Sequence, residues 1–290
     1  MKFDFHCHTH CSDGTLSPEQ LVELALERGV ESLAITDHDT VAAYDLFPPG
    51  KYKKTDSPEK EAGANLKLIS GCEFSALWNG TVIHIVGLDF DLKSQTVERL
   101  LSNSCILREQ RGERIGAELD KLGIKGVEDT YEGAKRHAGD AMVSRPHFAR
   151  YLVEIGLVSN EKKAFKKYLG KGKPGDIKVE WPQLSEVVEA IQSAGGVSVL
   201  AHPTHYDFTR TKLLRLIDHF KEIGGQAIEV VSGKQPSNQT NQLVEIATQR
   251  NLLCSSGSDF HKPGQPWADL GMNPGLPKAA TPVWIECKSL

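Results

Sequence analysis

The chain has 290 residues, 39% of them hydrophobic and 25% charged, which is the composition of a globular protein. Its length allows one large α/β barrel or two ordinary domains, with no need for stabilising disulfides. The formal net charge of −4 excludes a broad basic surface for long nucleic acids, so any nucleic-acid substrate would be short or held locally.

Nothing in the sequence predicts a membrane span or an export signal. No apolar run approaches 18 residues, and the opening MKFDFHCHTH lacks the apolar segment of a signal peptide. The six cysteines are scattered and form no CxxC pair. We therefore expect reduced thiols and a cytoplasmic location, with no membrane contact and no protein partner that can be inferred.

The sequence pattern of residues 1–95 predicts a β-rich segment with one clear helix. The helix covers residues 18–28, with Ser17 as its N-cap and Pro18 in its first turn. Residues 44–65 are rich in Pro, Gly, Lys and Glu and predict a loop with at most one short helix. Asn79 and Gly80 form a hairpin signal between two strands. The predicted strands are residues 2–6, 32–36, 66–77 and 81–90.

Residues 96–168 lose the β signal and show successive amphipathic patterns, which a Gly- and Lys-rich KGKPGD segment closes. This break predicts a helical insertion over residues 96–175. The insertion would cap a catalytic domain made of residues 1–95 and 176–290. The predicted helices are residues 97–122, 129–136, 145–155 and 160–169.

Strands and helices alternate again after the insertion. Repeated β-then-α order predicts a parallel barrel or a doubly wound sheet. A last strand is predicted near Val283–Ile285. The other predicted elements are helices at 184–193, 211–222 and 238–249 and strands at 197–201, 227–231 and 252–256.

The first chemical signal is a pair of histidines on a strand end. Side chains alternate along a strand, so His6 and His8 point the same way while Cys7 points to the opposite face. Two imidazoles at this spacing can share one metal, although an HxH pair also occurs by chance. The same alternation argues against a zinc finger built from Cys7 and Cys11.

Further histidines and carboxylates follow other predicted strands. In barrels the carboxyl ends of the strands form the catalytic face, where residues distant in sequence meet. Each residue taken alone could be a helix cap or a core histidine, but their joint pattern favours a metal site. They are Asp13, His38, Glu73, His202, Asp259 and His261, together with His84, which lies inside a strand rather than after it.

Six segments in this order resemble the successive motifs of the PHP (polymerase and histidinol phosphatase) phosphoesterase superfamily: HCHTHCSDGT, ITDHDT, GCEFS, HIVG, LAHP and GSDFH. The resemblance spans nearly the whole chain. VSRPHFARYLV and KGKPGDIKVEWP further resemble the bacterial subfamily of 3′,5′-nucleoside bisphosphate phosphatases, which includes a 5′-to-3′ exoribonuclease. The implied fold is an α/β, distorted (β/α)7 barrel with a helical insertion.

The resemblance also implies two or three divalent metal ions. Close metal ions can clamp a phosphate during in-line displacement. The family points to Mn, whereas mixed imidazole and carboxylate ligands by themselves suit Mn, Zn or Fe. The implied ligands are His6, His8, Glu73 and Asp259 for one ion, Asp13, His38 and His261 for a second, and the bridging Glu73 with His84 and His202 for a third.

Substrate contacts are expected at a helix start and in one loop. Ser144, Arg145 and His147 lie where a helix N-terminus and an arginine would make a phosphate cradle; the alternative is a capping serine with solvated charges. His205 is either a general acid or a loop residue. The subfamily often has Gly-Arg where this chain has Thr204 and His205, so this chain lacks that arginine's phosphate contact.

The remaining polar residues near these motifs are given less specific roles. Asp37 and Asp39 flank His38 and either orient ligands or form turns. Glu229 ends a strand and could face the site, but we expect it to lie in solvent at an edge. The predicted surface histidines are His10, His137 and His219.

The resemblance implies an enzyme that hydrolyses phosphate esters. It would convert nucleoside 3′,5′-bisphosphates to nucleoside 5′-monophosphates, or release 5′-terminal nucleotides from short 5′-phosphorylated RNA. Both reactions break the bond between phosphorus and O3′, with the 5′-phosphate as a handle. The alternatives are a phosphatase for another small phosphomonoester, such as histidinol phosphate, and a non-catalytic metal-binding module that has lost ligands.

Overall fold

The computed structural model describes residues 2–53, 65–124, 126 and 128–290. In this part of the chain nine strands form two sheets. The strands are β1 (Phe3–Asp4), β2 (Ser32–Ala34), β3 (Gly50–Lys53), β4 (Asn65–Ile69), β5 (Gly71–Trp78), β6 (Thr81–Leu88), β7 (Val197–Leu200), β8 (Ala227–Ser232) and β9 (Leu253–Gly257).

Backbone hydrogen bonds join the two sheets. The first sheet has the order β1-β2-β4-β3, with only β3 antiparallel, and the second has the order β5-β6-β7-β8-β9, parallel from β7 to β9. Asp259 N donates to His6 O at 2.8 Å, and Asp39 N donates to Glu73 O at 2.9 Å. The α/β class is confirmed, and the named strands of the described residues pair as two sheets.

Helices cover the sheets and fill the segment between β6 and β7. They are α1 (Pro18–Glu27), α2 (Ala43–Leu46), α3 (Gln95–Lys121), α4 (Thr130–Ala138), α5 (Arg145–Glu154), α6 (Glu161–Ala164), α7 (Leu184–Ser193), α8 (Arg210–Glu222) and α9 (Ser237–Gln249). A π-helical turn, Phe165–Leu169, continues α6, and a 3₁₀ turn, Pro203–Tyr206, follows β7. None of the described helices has the length and apolar content that a membrane span needs.

The predicted helix cap and the predicted hairpin turn are both present. Ser17 caps α1: its hydroxyl accepts from Gln20 N at 3.1 Å, and the Gln20 side chain accepts from Ser17 N at 2.9 Å. Asn79 and Gly80 join β5 to β6 with φ of 45° and 70°, as a tight hairpin turn requires. Both signals depend on neighbours in sequence, which is why the sequence reveals them.

Two predicted strands are wrong in detail. Residues 66–77 do not form one strand, because the chain leaves the first sheet at Ser70, whose hydroxyl donates to Phe90 O at 2.6 Å, and enters the second. Val283–Ile285 is a 3₁₀ turn. Only Thr281 and Pro282 run beside Cys254 of β9, and a proline cannot donate to continue the pairing.

The predicted loop over residues 44–65 contains more structure than expected. Its start belongs to the short helix α2, and β3 then pairs antiparallel with β4. Residues 54–64 of this loop lie outside the described part of the chain.

Separate apolar clusters support the sheets and the inserted helices. Helices α7 to α9 pack against the second sheet through residues such as Ile191, Phe220 and Leu243. Helices α3 to α6 share another cluster around Leu119 and Phe148. The inserted helices therefore have an apolar core of their own.

Tyr44 connects the carboxyl ends of the parallel strands β2 and β4, next to the residues that carry the polar motifs. Its hydroxyl accepts from Ile35 N at 3.0 Å and lies 2.7 and 2.9 Å from the carbonyl oxygens of Ile35 and Ile69. The Tyr44 side chain is buried.

Replacing Tyr44 with Phe should lower the free energy of unfolding by about 1–3 kcal/mol, because the buried N–H of Ile35 loses its acceptor. Urea denaturation measures this loss. Tyr52→Phe is the matched control, since the Tyr52 hydroxyl donates to Pro48 O at the surface and its removal should change stability little. Equal losses in the two variants would contradict the role given to Tyr44.

Candidate metal centre

All nine predicted metal ligands gather in one cluster. His6 and His8 follow β1, His38 follows β2, His202 follows β7, and Asp259 and His261 follow β9, while Asp13 lies in the turn before α1. Glu73 and His84 instead lie within β5 and β6. The prediction that Glu73 ends a strand is therefore wrong. A bridge between His38 and Glu73 places this third residue of β5 beside the end of the first sheet.

Glu73 lies at the centre of the cluster and is only 1% exposed. Its two oxygens approach the rings of five histidines. Oε2 lies 3.2 Å from His6 Nε2, 3.3 Å from His8 Nε2 and 3.1 Å from His38 Nδ1, and Oε1 lies 2.9 Å from His84 Nδ1 and from His202 Nε2.

Two aspartates complete the set of carboxylates. Asp259 Oδ1 lies 3.3 Å from His8 Nε2 and 3.6 Å from His261 Nδ1. Asp13 Oδ1 lies 3.4 Å from His261 Nε2, and Oδ2 lies 3.9 Å from His38 Nε2. Every imidazole of the cluster thus lies near at least one carboxylate oxygen.

Several of these nitrogens are buried and make no hydrogen bond, even where a carboxylate lies nearby. They include His6 Nε2, both ring nitrogens of His8, His38 Nδ1 and His84 Nδ1. An unsatisfied buried polar atom costs about 1–3 kcal/mol, so a compact set of them calls for a partner. A divalent cation would satisfy imidazole nitrogens and carboxylate oxygens together, and the residues present fit such ions.

The ligand atoms form four groups in which all atoms lie within 4.8 Å of one another. The predicted second set comes together with His8 added, and the first set comes together as His6, His8 and Asp259, while Glu73 belongs to the other two groups. The third set is divided, because His84 groups with His38 and His202 groups with His6. The four groups are His6, His8 and Asp259; His8, Asp13, His38 and His261; His6, Glu73 and His202; and His38, Glu73 and His84.

Buried aspartates hold the segments that carry the ligands. Asp37 accepts from Thr9 N at 2.7 Å and from Ser12 Oγ at 2.5 Å, which fixes the loop leading to Asp13. Asp39 accepts from Ser75 N at 2.7 Å and from Arg108 Nε at 2.8 Å. Of the two readings of these aspartates, the structure favours the orienting role.

The prediction that Glu229 lies in solvent is wrong. It is 2% exposed rather than solvated, since it belongs to β8, which has neighbours on both sides. Its oxygens lie 3.1 and 3.2 Å from His6 Nδ1, and Oε2 accepts from His202 N at 2.6 Å. A register shift between Glu229 and Val231 lies at this point, and such bulges re-aim side chains next to active sites. A carboxylate inside the apolar run AIEVV was the overlooked sequence signal.

The backbone at the cluster adopts conformations that favour glycine. His202 and Asp259 have φ of 28° and 54° directly after their strands. Such conformations cost of order 1–3 kcal/mol each and collect at functional sites. Gly257 allows the close approach of β9 to the first sheet, because a Cβ there would lie 2.2 Å from His6 Cβ.

The charges of the cluster keep its carboxylates ionised. Burial alone would raise the pKa of Glu73, but His38, His6 and His84 outweigh it and hold that pKa well below its usual value. Burial alone would likewise lower the pKa of His6, whereas Glu73 and Glu229 raise it well above its usual value. The cluster therefore stabilises positive charge, whether that charge is a proton or a cation.

The predicted substrate residues lie around this cluster. Ser144 caps α5, and its N–H donates to His147 Nδ1 at 3.0 Å. Arg145 Nη1 donates to Leu169 O at 3.3 Å. His205 is exposed, and its ring stacks on His202 at a centroid distance of 5.2 Å.

Of the three predicted surface histidines, only His10 is fully exposed. The other two are half-buried and bonded. Trp78 Nε1 donates to His219 Nδ1 at 3.1 Å, and His137 Nε2 lies 2.5 Å from Glu154.

A family model described as the PHP domain matches residues 4–232. The chain belongs to the PHP domain family. This confirms the family that the motifs predicted.

Known proteins resemble the chain over nearly its full length. A 5′-3′ exoribonuclease of Haemophilus influenzae is 43% identical over 283 residues, which cover 98% of each chain. A 3′,5′-nucleoside bisphosphate phosphatase of Chromobacterium violaceum is 36% identical over 287 residues, covering 99% of this chain and 96% of that protein. A solved amidohydrolase structure from C. violaceum, with bound sulfate and no metal, has a TM-score of 0.85 at 35% identity, covering 100% of this chain and 96% of the other.

Replacing Glu229 with Gln should weaken metal binding about ten- to a hundredfold, because His6 loses the charged acceptor that orients its ring. Competition with a metal-binding dye measures the affinity. Glu245→Gln is the control, since Glu245 contacts only Gln249 at the exposed side of α9 and should leave the affinity unchanged. An unaltered affinity in Glu229→Gln would show that Glu229 does not orient a ligand.

Proposed function

We propose that this protein is a metal-dependent phosphoesterase that hydrolyses the P–O3′ bond of nucleoside 3′,5′-bisphosphates and of short 5′-phosphorylated RNA. The observation that carries the proposal is Glu73, buried among five imidazoles whose nitrogens largely lack hydrogen bonds. The full-length similarity to an exoribonuclease and to a bisphosphate phosphatase supports the same chemistry.

The proposed ligands are the nine residues of the cluster, and every one of them is present. Divalent ions held there would polarise the phosphoryl oxygens and offset the charge that develops as the bond breaks. We propose Mn, one of the metals that mixed imidazole and carboxylate ligands suit. Glu73 is the bridging ligand, because its two oxygens face different histidines.

The 5′-phosphate would bind at the start of α5. Ser144 and Arg145 are proposed to contact it, with Arg108 and Arg111 close by. Burial lowers the pKa of Arg111 to about 9, and the charges of Arg145 and Arg108 add to this effect. Guanidinium groups that lower one another's pKa in this way are stabilised by a bound anion.

His147 would support this phosphate site rather than supply charge to it. Burial lowers the pKa of His147 to about 4, so the ring is neutral near pH 7. A neutral ring can accept the Ser144 N–H at 3.0 Å and thereby hold the start of α5 in place.

His205 is proposed to give a proton to the departing O3′ oxygen. It lies beside His202 and lines the same cavity as Asp259 and His261. A group in this position can reach the leaving oxygen without being a metal ligand.

We also propose that the chain divides into a catalytic domain and a cap. Residues 1–95 and 176–290 would form a distorted (β/α)7 barrel, in which β4 and β5 act as one bent strand. Residues 96–175 would form the cap, which has its own apolar cluster and supplies Ser144 and Arg145. We also propose a cytoplasmic location, which agrees with six unpaired cysteines.

A metal-supplemented assay tests the function directly. Purified protein would be given adenosine 3′,5′-bisphosphate, a short 5′-phosphorylated RNA and histidinol phosphate, each with Mn, Zn or Mg. Turnover of the first two with little turnover of the third is expected. Preference for histidinol phosphate would overturn the proposed substrate, and no turnover of any substrate would favour a binding module.

Replacing Glu73 with Gln should lower kcat/KM by at least about a hundredfold, because the side chain keeps its size but loses the bridging charge. Metal content, measured by elemental analysis, should fall in parallel. Near-normal turnover and metal content would show that Glu73 is not a bridging ligand.

Replacing Arg145 with Ala should lower kcat/KM about ten- to a hundredfold for substrates with a 5′-phosphate, since charged hydrogen bonds contribute about 1.5–3 kcal/mol. Metal content should not change. Nucleoside 3′-monophosphates, which lack the handle, should be poor substrates of the parent and should be little affected.

The control for this variant is Arg215→Ala, which removes an exposed arginine of α8. An equal loss on substrates with and without a 5′-phosphate would place Arg145 at the reacting phosphate. No loss on either substrate would mean that Arg145 does not bind the handle.

A further inference from the structure

A cavity of about 550 Å³ opens beside the metal centre. Asp13, Asp259 and His261 of the metal cluster line it, and so do Lys234 and Trp267. Ligand pockets of about 300–1,000 Å³ hold small organic molecules, so this space exceeds what one phosphate needs. The cavity has room for a nucleoside.

Trp267 is an unusual residue in this cavity, because its side chain is 62% exposed. Trp78 and Trp181 are 5% and 3% exposed, and Trp284 stacks on Phe3 at a centroid distance of 4.0 Å. An exposed tryptophan at a cavity offers a flat face on which a nucleobase can stack.

The backbone of Trp267 is fixed although its indole is exposed. Its carbonyl oxygen accepts from Lys234 N at 2.7 Å. Gly233 makes this contact sterically feasible, because a Cβ there would lie 2.2 Å from the same oxygen, and its φ of 54° favours glycine. The backbone that carries the indole is therefore held in place at the cavity.

The cavity reaches from the start of α5, where Pro146 and Arg150 line it, to Trp267 and Lys234. A small cleft lined by Ser144, Arg108 and His38 borders the start of α5. The linings of the cleft and the cavity have only Asp13 in common. A substrate whose 5′-phosphate lies at the start of α5 and whose scissile phosphate lies at the metal ligands would thus extend its 3′ side along the cavity toward Trp267.

We propose that the cavity binds the nucleoside on the 3′ side of the scissile phosphate, with its base stacked on Trp267. This inference rests on the proposed function and adds to it a subsite that only RNA substrates fill, since a 3′,5′-bisphosphate ends at the scissile phosphate. Aromatic stacking tolerates every base, as an exonuclease that removes successive nucleotides requires.

Lys234 supports the same assignment. Its side chain is exposed at the cavity, and no ion pair engages it within the described ranges. Lys262 at the same cavity is instead paired with Glu161 at 2.7 Å. Lys234 is therefore a cation available for the next phosphodiester of an RNA chain.

Activity on matched substrates tests the proposal. The substrates are adenosine 3′,5′-bisphosphate, 5′-phosphorylated diadenylate, and the same dinucleotide with an abasic second residue. Trp267→Ala should lose about tenfold or more in kcat/KM on the diadenylate and stay within about twofold of the parent on the bisphosphate. Trp267→Phe, which keeps an aromatic ring, should retain most of the activity on both.

The abasic substrate isolates the stacking contact. The parent should cleave it about tenfold or more slowly than the diadenylate, and Trp267→Ala should cause no further loss on it. An equal loss on the bisphosphate and the diadenylate would overturn the proposal, as would no loss on either.

Binding provides a readout that does not need turnover. Titrating metal-free protein with 5′-phosphorylated diadenylate should quench tryptophan fluorescence in the parent and in the control Trp284→Phe, and the quench should vanish in Trp267→Phe. A quench that persists in Trp267→Phe, or its absence from the parent, would overturn stacking on Trp267. Parent protein that binds the dinucleotide but cleaves neither substrate would refute the proposed function and leave the subsite standing.

Discussion

The burial of one carboxylate among five imidazole rings is the constraint on which the rest of the structure depends. Glu73 is almost inaccessible to water, and taking a carboxylate out of water costs several kcal/mol unless opposite charge replaces the lost hydration. Burial of the surrounding histidines also costs free energy, because many of their ring nitrogens make no hydrogen bond. Both costs are offset together when cations lie between them, so the folded state and metal binding are thermodynamically linked.

The scaffold keeps this cluster assembled through a surrounding layer of buried acids. Asp37, Asp39 and Glu229 each hold a segment that carries ligands, through backbone N–H groups or a histidine ring. The strained backbone at His202 and Asp259 belongs to the same arrangement, since both residues turn the chain toward Glu73 directly after a strand. Rigid placement of this kind is what a reaction at phosphorus requires, because small displacements of metal ligands weaken catalysis strongly.

The two recesses beside Asp13 indicate how an RNA substrate would be oriented in the proposed reaction. The cleft contains Ser144 and Arg108, and the cavity runs from Pro146 and Arg150 of α5 to Trp267 and Lys234. When water adds to phosphorus and O3′ departs with a proton, the fragment on the 3′ side keeps the phosphate as a new 5′-phosphate. That fragment can then move into the 5′-phosphate site, so the same centre would remove successive nucleotides.

The sequence by itself determined the ligand types, the family, and features set by near neighbours, such as the cap at Ser17 and the turn at Asn79 and Gly80. These depend on side chains a few residues apart, and alternation along a strand already pairs His6 with His8. Only the tertiary structure decided that Glu229 is buried against His6, because a bulge and two flanking strands place it there. It also decided which histidines surround Glu73 and where Trp267 lies, since these contacts join segments separated by tens to hundreds of residues.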